Sequence, residues 1–90
     1  MGVALLKIKI MPTSPEVNLE QIKEQAKKIV EDSEGKNCRF EEEPIAFGLK
    51  AVMVFFDIDE SQEMDSIEQG LEKIENVNSV QIVDMRRAFG

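Results

Sequence analysis

The sequence predicts an α+β fold, a four-stranded antiparallel sheet with two helices packed on one face, and three observations predict it. Apolar and polar residues alternate in several short runs, as in a strand buried on one side. Apolar residues recur every three or four positions in two longer runs, as on the inner stripe of a helix. These runs succeed one another in the order β-α-β-β-α-β without a composition break, so residues 1–90 are expected to form one domain.

The first strand covers Val3 to Ile10, where Ala4, Leu6, Ile8 and Ile10 share one face and Lys7 and Lys9 the other. Pro12, Thr13, Ser14 and Pro15 break it with a turn. Asn18 is the predicted N-cap of the first helix, with Gln21 placed to complete a capping box. Leu19, Ile22, Ala26, Ile29 and Val30 then mark a helix over residues 19–33, stopped by Glu34-Gly35-Lys36-Asn37. Cys38 and Phe40 alternate with Arg39 and Glu41, a short strand with a charged outer face that suits a sheet edge and ends near Pro44.

From Leu49 to Ile58 the run is β-rich and nearly continuous, as in a central strand covered fully on one face and partly on the other. Asp59-Glu60-Ser61-Gln62 interrupts it, and Met64, Ile67, Leu71 and Ile74 predict a second helix over residues 62–75. Gly70 inside that helix costs about 1 kcal/mol against alanine, and close packing against the sheet is its expected reason. Val77, Val80, Ile82 and Val83 form a last strand running toward Met85. Right-handed crossovers convert this order into the ferredoxin-like plait, an architecture that by itself names no function.

Composition removes several function classes. A 42% hydrophobic and 32% charged chain has the balance of a soluble globular protein, and no apolar stretch approaches the roughly 20 residues of a membrane span. The apolar run after Met1 has no basic leader and no small-residue cleavage site, so it reads as a strand and a cytoplasmic location is expected. Gly2 lacks the Ser or Thr that a myristoylation motif needs at Leu6.

With one cysteine, Cys38, and no histidine, an internal disulfide is excluded and zinc, haem and imidazole chemistry lose their usual residues. Cys38 has no base to activate it and reads as a small core residue, so no enzymatic chemistry is expected. Eleven basic against 18 acidic residues leave a net charge of −7, which repels nucleic acid over most of the surface. A basic or metal-bearing protein is the expected partner. No phosphate-binding glycine loop is present, so direct nucleotide binding is not expected either.

Two segments stand out. The loop Pro44-Ile45-Ala46-Phe47-Gly48-Leu49-Lys50 sets an aromatic beside a glycine. Phe47 folds back to cap the core while Gly48 supplies a turn conformation, or else Phe47 is an exposed anchor for a partner. The C-terminal stretch Asp84-Met85-Arg86-Arg87-Ala88-Phe89-Gly90 brings two guanidinium groups to the end of an acidic domain. It is a solvated tail, or one arginine reaches a site of negative charge on a partner. Glu41-Glu42-Glu43 alternates across a strand and does not converge, and Asp57-Ile58-Asp59-Glu60 lacks a calcium-loop glycine, so no metal or other cofactor is assigned.

Taken in order, these segments resemble the guanine-nucleotide-exchange domain family of translation elongation factor 1-beta over essentially the whole chain. The resemblance rests on Lys7-Ile8-Lys9-Ile10-Met11-Pro12 with Asn18-Leu19, and on Glu43-Pro44-Ile45-Ala46-Phe47-Gly48-Leu49-Lys50, which is similar to the family's proline, glycine-aromatic-glycine and basic segment. Met1 stands almost directly before the first strand, the pattern of the archaeal members, whereas eukaryotic relatives carry further N-terminal and linker regions.

The resemblance implies the plait fold and an exchange factor acting on the GTPase elongation factor 1-alpha. It implies that Phe47, with Gly48 and Lys50 around it, docks on that GTPase and helps alter its magnesium and phosphate region. It also implies that a basic residue near the C-terminus enters the magnesium site, which aligns with Arg87, Arg86 being the neighbouring alternative. The sequence departs from the family pattern at Ala46, which replaces the first loop glycine, at the arginine where the family has lysine, and at Ala88-Phe89-Gly90 beyond the usual end. A guanidinium fork is not equivalent to a compact ammonium, so the insertion step is where these departures bear most.

Other classes share the element order. An RNA-recognition module reads bases from aromatics on its first and third strands; here the first strand has none, and Phe55 with Lys7 and Lys9 is the only support. A small-ligand regulatory plait is the other alternative. Its metal-carrier version needs a paired-cysteine loop that is absent, and an acylphosphatase-like site would need a phosphate-cradling loop after the first strand.

Overall fold

In β1 (Val3–Pro12) the period-two pattern buries Ala4, Leu6, Ile8 and Ile10, and in β3 (Lys50–Asp59) it buries Val52, Val54, Phe56 and Ile58 on the same side. The two strands pair antiparallel with Leu6 across from Phe56 and Ile8 across from Val54, so these side chains meet as one apolar layer. The computed structural model describes residues 2–89 of the chain; Met1 and Gly90, and with them the last position of the C-terminal segment, lie outside it.

The remaining elements are α1 (Leu19–Asp32), β2 (Lys36–Pro44), a 3-10 turn (Ala46–Gly48), α2 (Met64–Glu72) and β4 (Val77–Phe89). The sheet order is β2-β3-β1-β4 with every neighbouring pair antiparallel, the arrangement of the ferredoxin-like plait. Ile22, Ala26 and Val30 of α1 and Ile67 and Leu71 of α2 complete the core, so both helices lie on one face; the other, open face carries no helix, though Ala51 and Met53 of β3 are buried there. Phe56 and Ile8 are among its largest fully buried side chains.

Several boundaries differ from expectation, each for a local reason. The Asn18 side chain caps α1 by accepting from the Glu20 backbone N–H at 3.0 Å, but the side-chain half of a capping box from Gln21 does not form. At the other end the left-handed residue is Glu34 (φ 68°) rather than Gly35. The Glu34 and Gly35 N–H groups close onto the carbonyls of Glu31 (2.9 Å) and Val30 (2.8 Å), the double bond pattern of a Schellman end. Gly35 is needed for space: a Cβ there would collide with the Val30 side chain and stand 3.2 Å from the Phe56 ring.

α2 begins at Met64 instead of residue 62 because Asp59 takes the Ser61 backbone N–H at 2.9 Å and its hydroxyl at 2.8 Å, holding that segment in a turn. Gly70 does pack closely, but against helix α1 and not the sheet: a Cβ there would lie 3.2 Å from Ile29 Cγ2. Both edge strands run longer than predicted, β2 starting at Lys36 and β4 reaching Phe89, because pairing partners are available to each.

Candidate partner-binding site

The β2–β3 hairpin closes where Pro44 pairs with Lys50. Inside it the Ile45 N–H donates to the Leu49 carbonyl at 2.7 Å and the Leu49 N–H to the Ala46 carbonyl at 3.3 Å. Such tight closure is met by consecutive left-handed residues, Phe47 at φ 62° and Gly48 at φ 77°. Glycine accepts that conformation freely, whereas at Phe47 it costs about 1–2 kcal/mol. The Phe47 side chain does not cap the core. It is 94% exposed, the most exposed of the large hydrophobic residues described. Beside it, Pro12, Pro15, Gly48 and Lys50 border a shallow groove between the hairpin and the turn that follows β1.

The two arginines lie on neighbouring positions of β4, across from Leu5 and Ala4 of β1. Arg86 donates from Nε to Asp84 Oδ2 at 3.1 Å and lines the open face of the sheet with Leu5, Lys7 and Phe55. Arg87 pairs instead with Glu60, Nε to Oε2 at 2.9 Å, at the end of β3. Both guanidinium side chains are about three-quarters exposed. Exposed pairs of this kind are worth at most about 1 kcal/mol, so either arginine is cheaply released to a stronger anionic partner.

The structure brings Phe47, Gly48 and Lys50 together and sets Arg86 and Arg87 apart from them. Arg86 sits across from Leu5, and Lys50 lies two residues before Val52, which sits across from Ile10. At about 3.4 Å per residue along a strand, the loop and the arginines are roughly 24 Å apart. They occupy opposite ends of a molecule 41 Å long and about half as wide. A single small pocket on a partner therefore cannot receive both.

Cys38 is half-buried against the core, and burial, reinforced by the Glu31 charge, pushes its thiol pKa up. A protonated thiol in that setting is a poor nucleophile. Among the described residues no three or more Cys, Asp or Glu side chains converge to hold a metal. In the Glu41–Glu43 run, Glu42 turns to the helix face and binds Lys23 at 2.7 Å. No helix among the described residues is long and apolar enough to cross a membrane.

Two features escaped the sequence reading. Glu60 as the Arg87 partner is local to a turn and carried no signal. Arg39 lies beside Phe55 on the open face, with its guanidinium 5.6 Å from the ring centroid while the Lys7 ammonium is 5.5 Å from it. The hairpin register, Arg39 across from Phe55, is what makes this neighbour.

The chain is thus an α+β plait with an exposed loop aromatic at one end and exposed arginines at the other. The sequence profile of the EF-1 guanine nucleotide exchange domain matches residues 5–88, and the chain belongs to that family. It is 41% identical over 86 residues to an elongation factor 1-beta of Methanococcus maripaludis, covering 94% of this chain and 97% of that one. It is 40% identical over 89 residues to an elongation factor 1-beta of Methanocaldococcus jannaschii, covering 98% of this chain and all of that one. An elongation factor 1-beta of Methanobrevibacter smithii is 41% identical over 88 residues, with 97% and 98% covered. These archaeal relatives and the family support a role as a translation elongation factor of the nucleotide-exchange type.

Proposed function

We propose that this chain, acting as a single exchange domain, promotes GDP release and GTP loading on the GTPase elongation factor 1-alpha during protein synthesis, without binding nucleotide itself. The observation that carries the reading furthest is Phe47, an aromatic held in solvent by a left-handed backbone in a chain of the exchange-domain family. A large exposed aromatic gains little in the free protein and much in a partner's pocket, which is how interface anchors behave.

The mechanism follows from linkage. A factor that binds the nucleotide-free GTPase more tightly than the nucleotide-bound form lowers nucleotide affinity by the same factor. Phe47, with Gly48 and Lys50, supplies binding energy at one end of the plait. Arg86 or Arg87 at the other end acts as a fixed cation that competes for the negative charge around the GTPase magnesium site. The separation of about 24 Å between the two groups, from strand rise, favours two contact points on the GTPase: Phe47 anchors, and an arginine acts at the metal.

Replacing Phe47 by alanine tests this. Loss of an interface anchor costs about 2 kcal/mol or more, so the concentration of factor needed for half-maximal GDP release rises by roughly thirtyfold while the unfolding midpoint stays unchanged. Full stimulation by the Phe47→Ala variant would remove the loop from the mechanism.

A further inference from the structure

The open face of the sheet carries a cluster of which the mechanism above uses only Arg86. The faces of Lys7, Arg39, Phe55 and Arg86 meet in a shallow depression that also includes Leu5 and Asp84. On a chain of net charge −7 this is a local concentration of cations. Lys7 and Arg39 are both drawn over the Phe55 ring, at 5.5 and 5.6 Å. Cation–π contact limits their wandering and so fixes the charge in place.

The carboxylates that would ordinarily neutralise them are occupied. Asp84, directly across from Lys7, accepts from Arg86 at 3.1 Å, and Asp57 accepts from the Asn37 side chain at 2.6 Å. Among the described residues neither Lys7 nor Arg39 has a carboxylate within ion-pair distance. Two oriented cations with no direct ion-pair partner, set over an aromatic in a depression that also holds Asp57 and Asp84, can receive individually placed carboxylate groups of a partner.

We infer that this open sheet face docks an acidic segment of the partner protein, with Lys7 and Arg39 receiving its carboxylates, and so extends the Arg86 end of the interface across the sheet. The inference rests on the exchange-factor reading, since the acidic segment is assigned to the same GTPase. A protein segment fits better than a nucleic acid for two reasons. Asp57, Asp84 and Glu41 share the face and repel a polyanion of closely spaced phosphates, whereas single carboxylates can be placed between them. The Phe55 ring also already carries two cations, which a stacking base would have to displace.

The test is stimulated GDP release from the GTPase by wild-type protein, by the double variant Lys7→Glu with Arg39→Glu, and by Lys28→Glu. Lys28 is exposed on helix α1, on the far side of the sheet, and controls for charge reversal outside this face, at −2 against the −4 of the double variant. The expected result is a rise of about tenfold in half-saturating concentration for the double variant, with the maximal rate retained and the salt dependence flattened. Lys28→Glu should stay within about twofold of wild type, as expected for a charge outside the contact. Circular dichroism confirms that each variant is folded.

Wild-type stimulation with a double variant indistinguishable from Lys28→Glu overturns this inference alone. No stimulation by folded wild-type protein overturns the exchange-factor reading and this inference with it. Loss in the double variant of binding to a single-stranded RNA oligonucleotide, with exchange intact, overturns the protein partner and gives the face to nucleic acid.

Discussion

Single side chains in this protein are polarised by specific contacts, and their pH behaviour follows. The Lys23 ammonium lies 2.7 Å from Glu42 and 3.4 Å from Glu20, joining helix α1 to edge strand β2. The hydrogen bond to Lys23 lowers the Glu42 pKa, and the same bond raises that of Lys23. Asp59 is lowered by its bonds from the Ser61 N–H and hydroxyl. For the two carboxyls the folded pKa lies below the unfolded one, so their contribution is complete above the ordinary carboxylate range and is lost as pH falls through the folded values. For Lys23 the folded pKa lies above the unfolded one, so its contribution is present below the ordinary lysine range and is lost as pH rises through the folded value. Glu42→Gln should therefore lower stability at neutral pH and flatten its fall on acidification; chemical denaturation from neutral to acid pH reads both.

Phe47 shows at the same scale what a sequence withholds. Its exposure is decided by left-handed backbone at residue 47, which follows from the Pro44–Lys50 pairing and the Ile45–Leu49 hydrogen bond. Hydropathy does not report that geometry, and the usual burial of phenylalanine points toward the core-capping reading, which the structure overturns. Arg86 and Arg87 were legible as residues, yet their opposite partners, Asp84 and Glu60, depend on which face of β4 each occupies.

Elements were readable wherever period and burial coincide. β1 alternates and β3 is nearly continuously apolar, with Ala51 and Met53 buried as well as its core residues; Ile67 and Leu71 mark the stripe of α2 as expected. Ends were less readable because they are settled by competition for hydrogen bonds. Asp59 captures Ser61 and delays α2, while β4 beyond Met85 is held by register with β1 rather than by any alternation in Arg86-Arg87. The end of α1 gives two stability predictions. Glu34→Gly should stabilise by up to about 1 kcal/mol, because glycine takes the left-handed position without a Cβ penalty. Gly35→Ala should destabilise by about 1–3 kcal/mol, because its methyl group would overlap Val30 and press on Phe56. Urea titration of the two variants must show shifts of opposite sign.

The whole molecule is a thin layered plait whose core and candidate contact surfaces are housed separately. Its core lies between helices and sheet, and the candidate contacts sit on the hairpin loop, the β4 end and the open face. Phe56→Ala, at a fully enclosed site, should cost about 3–5 kcal/mol, a large share of the roughly 5–15 kcal/mol that a small domain has. Its unfolding midpoint should fall sharply, in contrast to that of Phe47→Ala. This division also explains how far sequence reading carries. Packing leaves a periodic trace in the chain, whereas the distance of roughly 24 Å between loop and arginines exists only once β1, β3 and β4 have set their registers.

The most direct measurement is the release rate of a fluorescent GDP analogue from the cognate elongation factor 1-alpha, with and without this protein, across a series of free magnesium concentrations. Sub-stoichiometric protein should accelerate release strongly at high magnesium, and the acceleration should shrink as magnesium is withdrawn. Unchanged release from a folded pair at every magnesium concentration would contradict the account.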